Sequence, residues 1–294
     1  MTQNTQYILQ RVKHIEILVR KKVNSLFGGE YRATFKGQGM TFMDFREYVP
    51  GDDVRRISWI ITARTGKTYI KQFEEDRELQ VVIVKDISDS IKFGSQEFLK
   101  SEVATFVAAV IAMSAIRNKD QVGLALFTDR LEHWVPPARG RNQLLRMLRD
   151  LEFIKPRGRR SNLITIVQHL RRTLKKRAII FFISDFMDMP DFTVDLRLLA
   201  QKHEVYAMVI EDAWEKQWPN LGLMEVQDLE TDELYLFDPS LYDFQKTFQV
   251  NQEKHRQQLK EMFSKCQVDM AVVPTDSNWD RALLEFFHRL RGVS

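Results

Sequence analysis

Two apolar runs in this chain end in side chains that carry oxygen. In VVIVKDISDS, residues 81–90, Val81 to Val84 give way at Lys85 to Asp86, Ser88, Asp89 and Ser90. In AIIFFISDFMD, residues 178–188, the apolar run stops at Ser184 and Asp185 follows. Between them, GRRSNLITIV places Ser161 and Asn162 just before a helical pattern. Carboxylates and hydroxyls are hard donors, the kind that Mg²⁺ takes in near-octahedral geometry while keeping several waters, and Mn²⁺ accepts the same set. Because several of these donors are neutral, the ion would keep positive charge and could accept a carboxylate from outside. That is chemistry for binding rather than for catalysis. The plainer alternative is that Ser88 and Ser90 cap the next helix and Asp185 closes a turn.

The flanking pattern must position these residues. Strands are expected at 79–84, 122–127, 178–183, 205–210 and 268–273, with extended pieces at 131–135, 223–226 and 234–237. Helices are expected at 6–25, 96–117, 142–151, 163–175, 241–265 and 280–290. Near-continuous apolar strands alternating with helices predict a doubly wound, mostly parallel sheet covered on both faces. In such sheets ligands bind beyond the carboxyl ends of the strands, where DISDS and Asp185 lie. Residues 31–78 are dense in charge and turn signals, so the chain divides into an N-terminal helix and small β-containing extension at 1–77 and an α/β domain at 78–294. In YVPGDDVRR, Pro50-Gly51 forms a turn, Asp52 or Asp53 caps the residues after it, and Arg55, Arg56 and Arg64 pair with Glu74, Glu75 or Asp76.

Composition narrows the function. The 294 residues are 44% hydrophobic and 29% charged, a soluble globular mix. A net charge of +4 is too mild to point to nucleic acid. The basic clusters at 155–160 and 171–177 lack interleaved aromatics and read as a solvated or docking face. One cysteine excludes an internal disulfide and, with no secretory h-region, suggests the cytoplasm. The apolar stretch at 103–116 is too short to span a membrane and reads as a buried central helix. Six histidines without metal-ligand spacing give zinc little support, and neither a P-loop nor a G-x-S-x-G elbow is present.

D-x-S-x-S followed by a hydroxyl loop and a later Asp resembles the metal-ion-dependent adhesion site of von Willebrand factor A domains. FKGQGMTFMDFREYVPGDDVRRISW and TARTGKTYIKQFEEDRELQVVIVKD add a resemblance to a bacterial family of unknown function that carries such a domain. The resemblance implies metal ligands at Asp86, Ser88, Ser90, Ser161 and Asp185, with Mg²⁺ as the ion. It also implies a partner, since genes of that family commonly sit beside those for MoxR-type AAA+ ATPases. The expected function is a non-enzymatic adaptor or co-chaperone for complex assembly or metal insertion. Three positions depart from the pattern: Ser161 stands where Thr is usual, Asp89 where Gly is, and Ser58 where Asp is. Two other readings stay open, a metal-dependent phosphoester hydrolase with Asp86 and Asp185 as ligands, and a metal-free scaffold.

Overall fold

The computed structural model describes residues 3–23, 31, 34, 41–74, 79–187, 189–227 and 233–292. They fall into two compact units, residues 1–34 with 80–294, and residues 35–79. The boundary expected near 77 therefore moves. Helix α1 (Gln3–Lys22) belongs with the sheet unit, where it buries Val12, Ile15 and Val19 against two of that unit's helices.

In the smaller unit, β1 (Thr41–Glu47) pairs antiparallel with β2 (Tyr69–Glu74), and a single 3₁₀ turn and the short helix α2 (Trp59–Thr65) connect them. Asp53 caps the 3₁₀ turn by accepting from the Arg55 amide at 3.0 Å. Asp52 instead takes Arg46 in a two-pronged pair at 2.7 and 2.8 Å. Glu75 and Asp76, two of the acidic partners expected for Arg55, Arg56 and Arg64, lie outside the described residues.

The larger unit is built on six strands, β3 (Gln80–Asp86), β4 (Gln121–Phe127), β5 (Leu131–Ala138), β6 (Ile179–Ser184), β7 (Glu204–Glu211) and β10 (Asp269–Pro274). Their spatial order is β10-β7-β6-β3-β4-β5, parallel except for β5. Numbered within the sheet this is 3-2-1-4-5-6, the doubly wound order, and the direction of winding reverses between β3 and β6. A separate hairpin, β8 (Met224–Gln227) with β9 (Leu234–Phe237), stands apart from the sheet.

Strand alternation divides the core between two faces. Val82, Val84, Ile180, Phe182, Ala207 and Val209 pack with α5 (Leu163–Thr173), α6 (Thr193–Ala200) and α8 (Tyr242–Lys265). The other face is covered by α3 (Lys100–Arg117), in which every residue from Val103 to Ala115 is buried. Such a helix needs cover on its outer side too, and α1 and α4 (Arg141–Phe153) provide it. Helix α3 starts four residues later than its apolar pattern suggests, because the chain from Phe93 to Leu99 folds as a loop whose Gly94 lies against the Leu99 backbone. Helix α6 escaped the sequence pattern, being only eight residues long and close behind Pro190. No helix among the described residues is long and apolar enough to cross a membrane.

Both edges of the sheet carry proline. Edge strand β5 includes Pro136 and Pro137, and β10 ends in Pro274. The Thr275 amide bonds Glu211 of β7, so alternation turns the backbone groups of Met270 and Val272 toward the open side. There Arg289, on α9 (Trp279–Gly292), donates to the Met270 carbonyl at 2.6 Å.

Candidate metal centre

The site forms where β3 and β6 run side by side and their winding diverges. Register places Lys85 opposite Ile183, so the next pair along is Asp86 and Ser184. Both continue the face of Val82, Val84, Ile180 and Phe182. Lys85 points to the other face, where burial lowers its pKa to about 8 against the pull of Asp86 and Glu152.

Asp86 is fully buried, yet only neutral groups hold it. Its Oδ1 accepts the Ser88 amide at 2.8 Å, and its Oδ2 accepts the hydroxyls of Ser161 at 2.6 Å and Ser184 at 2.7 Å. The Ser88 and Ser90 hydroxyls face each other at 3.1 Å. Ser161 enters from the loop before α5, anchored by the Asn162 amide on the Thr128 carbonyl and by the Asn162 side chain capping the helix at Ile164. The Asp86 carboxyl is held above the usual carboxylate range, first by burial and then by the Asp185 carboxylate, against three hydrogen bonds that favour the anion. A buried anion with only neutral donors is a place where a cation is electrostatically welcome.

Asp185 stands at the same rim but in different company. Its Oδ2 accepts the Lys100 ammonium at 2.7 Å and its Oδ1 the Met187 amide at 3.2 Å. Lys100 also donates to Glu215 at 2.6 Å and is 2% exposed. Glu215 is fixed in turn by the Asp212 amide at 2.8 Å in a capping box on the short helix α7 (Ala213–Lys216). Burial alone would depress the lysine's pKa, but Asp185 and then Glu215 outweigh it and raise the value. Phe186, the residue after Asp185, is buried with φ +55°, a left-handed conformation costly for an aromatic residue. Phe263 packs edge-on against its ring at 5.2 Å and helps to hold it there.

The structure thus brings Asp86, Ser88, Ser90, Ser161 and Asp185 to one rim, with Asp86 and the hydroxyls as one cluster and Asp185 ion-paired beside it. Among the described residues no group of three or more His, Cys, Asp or Glu forms a ready-made metal cage. The donor set is instead carboxylate plus hydroxyl, the hard-oxygen chemistry that Mg²⁺ takes. Metal–oxygen bonds of about 2.1 Å put neighbouring octahedral ligands roughly 3.0 Å apart, close to the distance between the Ser88 and Ser90 hydroxyls. Asp89, the residue that departs from the pattern within the motif, does not add free charge. Burial would raise its pKa, but Lys92 and Arg159 hold it below the usual range, and Arg159 Nε lies 2.6 Å from its Oδ2. One arginine of the 155–160 basic cluster is therefore committed to this pairing.

Sequence reading missed Ser184, Lys100 and Glu215. Ser184 was visible beside Asp185. Lys100 left a fainter signal, a cation in the first turn of a long helix, where the helix dipole disfavours it unless anions compensate.

A family model described as "Protein of unknown function DUF58" matches residues 44–258. An uncharacterized protein of Mycobacterium tuberculosis is 30% identical over 287 residues, covering 96% of this chain and 90% of its own length. A second, from Mycobacterium avium, is 28% identical over 54% of this chain and 95% of its own. Among solved structures, the conserved hypothetical protein BatB from Bacteroides thetaiotaomicron superposes with a TM-score of 0.49 at 12% identity, over 73% of this chain and 99% of that one. The SpRpn10 VWA domain superposes at 0.39 and 11%, over 71% and 94%. Likeness at this level adds nothing to the strand order, on which the fold assignment rests. The family match and the mycobacterial relative suffice to place the chain in the DUF58 family of proteins of unknown function.

Proposed function

We propose that this protein is a metal-dependent protein-binding module of the von Willebrand factor A type. Asp86, Ser88, Ser90 and Ser161 would hold Mg²⁺ or Mn²⁺, with Asp185 beside them. When bound, the ion supplies positive charge that an aspartate or glutamate of a partner can meet at the rim. The chain's own residues supply the rest. Ser184 and the Ser88 amide orient the Asp86 carboxylate, Asn162 fixes the loop that carries Ser161, and Arg159 with Lys92 neutralises Asp89 so that it does not repel an acidic partner. The supporting observation is the buried Asp86 carboxylate among hydroxyls at ligand spacing, with no cation bonded to it.

The partner we favour is a MoxR-type AAA+ ATPase, with the module acting as adaptor or co-chaperone in complex assembly or metal insertion. The free, buried thiol of Cys266 accords with a cytoplasmic setting. A pull-down of the purified ATPase, with and without chelator, tests this reading. Binding should require Mg²⁺ and be lost in Asp86→Ala with the fold retained. Equal capture by wild type and variant, chelated or not, would refute metal dependence and favour the metal-free scaffold. Phosphoester turnover that Asp86→Ala abolishes would favour the hydrolase instead.

A further inference from the structure

The buried ion-pair cluster beside the proposed metal centre carries a second inference, which rests on the metal reading above. We propose that Lys100 is a built-in cation that holds Asp185 out of the metal's coordination shell, leaving the ion weakly held and open to a partner's carboxylate. Lys100 is 2% exposed and its ammonium reaches both Asp185 and Glu215. With the Met187 amide on the other oxygen, each Asp185 oxygen already accepts a hydrogen bond. Glu215 in turn is tied to the Asp212 amide, and Asp212 is itself fully buried, bonded to the Ser95 amide at 2.9 Å and the Thr275 hydroxyl at 2.6 Å. Fixed anions thus grip the lysine on two sides. Backbone and ring reinforce that placement: the Lys100 amide donates to the Phe93 carbonyl at 2.8 Å, and the ammonium lies 5.9 Å from the Phe93 ring centre.

A divalent ion at Asp86 therefore meets one carboxylate whose charge is free and one whose charge is taken. It would keep more of its own charge than with two free carboxylates, and that surplus is what attracts an acidic partner. Lys100 is a positioning residue in this scheme. It touches neither the ion nor the partner, and it sets the strength of the site through Asp185.

The test is calorimetric titration of Mg²⁺, repeated with Mn²⁺, into wild type, Lys100→Met, Lys100→Arg and Lys100→Met/Glu215→Gln. The double variant removes one charge of each sign, so it keeps the net charge and protects the measurement should the single variant unfold. Freeing Asp185 and removing a nearby positive charge should tighten binding by roughly tenfold or more in Lys100→Met. A smaller gain is expected in the double variant, and Lys100→Arg should stay near wild type. The gain should vanish when Asp86→Ala is added. Tighter binding is not an effect that structural damage would produce. Equal or weaker binding in folded variants lacking Lys100, with wild type still binding through Asp86, would overturn the role of Lys100 and leave the metal centre standing. Absence of binding in every protein would overturn both.

Discussion

The two ends of one sheet treat buried polar groups in opposite ways. Near the amino ends of the strands the polar contacts involve neutral side chains such as His203, Tyr31 and Gln80. His203, just before β7, accepts the Ala178 amide at 3.2 Å, and burial lowers its pKa to about 4, so it is neutral at physiological pH. Tyr31 donates to Asp120 at 3.3 Å, and the half-buried Gln80 to the half-buried Gln121 at 3.2 Å. These contacts close turns and join elements. At the carboxyl ends, Asp86, Asp185, Asp212 and Lys100 all lie buried, with Glu215 partly so. Collecting charge in the interior costs stability that apolar side chains of like volume would not. The difference lies in what each end holds: one closes turns and joins elements, and the other keeps charged groups buried in place at a cost in stability.

Four substitutions would break or sharpen that contrast. Lys100→Met should have the largest effect, about 3–5 kcal/mol of lost stability in the metal-free protein, because Asp185 and Glu215 lose their shared cation. Chemical denaturation measures this, and a cost no greater than that of Lys67→Met, at an exposed pair, would erase the distinction. Next comes the acid sensitivity of the amino end. His203 has a folded pKa below its unfolded one, so its contribution is present above about pH 6.5 and is lost as pH falls toward about 4, to a total of roughly 2 kcal/mol. Denaturation curves at several pH values should show that slope in wild type and lose it in His203→Gln. Third, Asp86→Asn should abolish Mg²⁺ binding while leaving the metal-free protein as stable, or more so by about 1 kcal/mol, since the raised pKa marks an ionised carboxyl that is poorly compensated. A large loss of stability would mean that Asp86 is structural. Smallest is Ser161→Thr, whose β-branch stiffens the hydroxyl and should tighten Mg²⁺ binding by roughly twofold. Looser binding would show that the loop has no room for the added methyl group.

How much the sequence disclosed depends on how far each signal must reach. Parallel strands buried on both faces write themselves as unbroken apolar runs, so Val81–Val84 and Ile179–Ile183 were plain, and with them the rim positions of Asp86 and Asp185. The contact between Asp86 and Ser161 was expected only as a shared rim. No local pattern encodes which cation pairs with Asp185, since Lys100 lies 85 residues before it in sequence and 115 before Glu215, which shares that cation. The place of α1 was hidden for a related reason. Its periodicity revealed a face to bury, but not that the outer side of α3 would be the surface that received it.

The prolines at the two sheet edges bear on how the protein behaves when crowded. An unpaired strand can recruit a strand from another molecule, and repeated recruitment builds fibres. Here Pro136 and Pro137 sit at an irregularity in the β4–β5 register on one edge, while on the other Pro274 withholds a donor and Arg289 occupies the Met270 carbonyl. Edges blunted in this way are poorer templates for a strand from a neighbouring molecule.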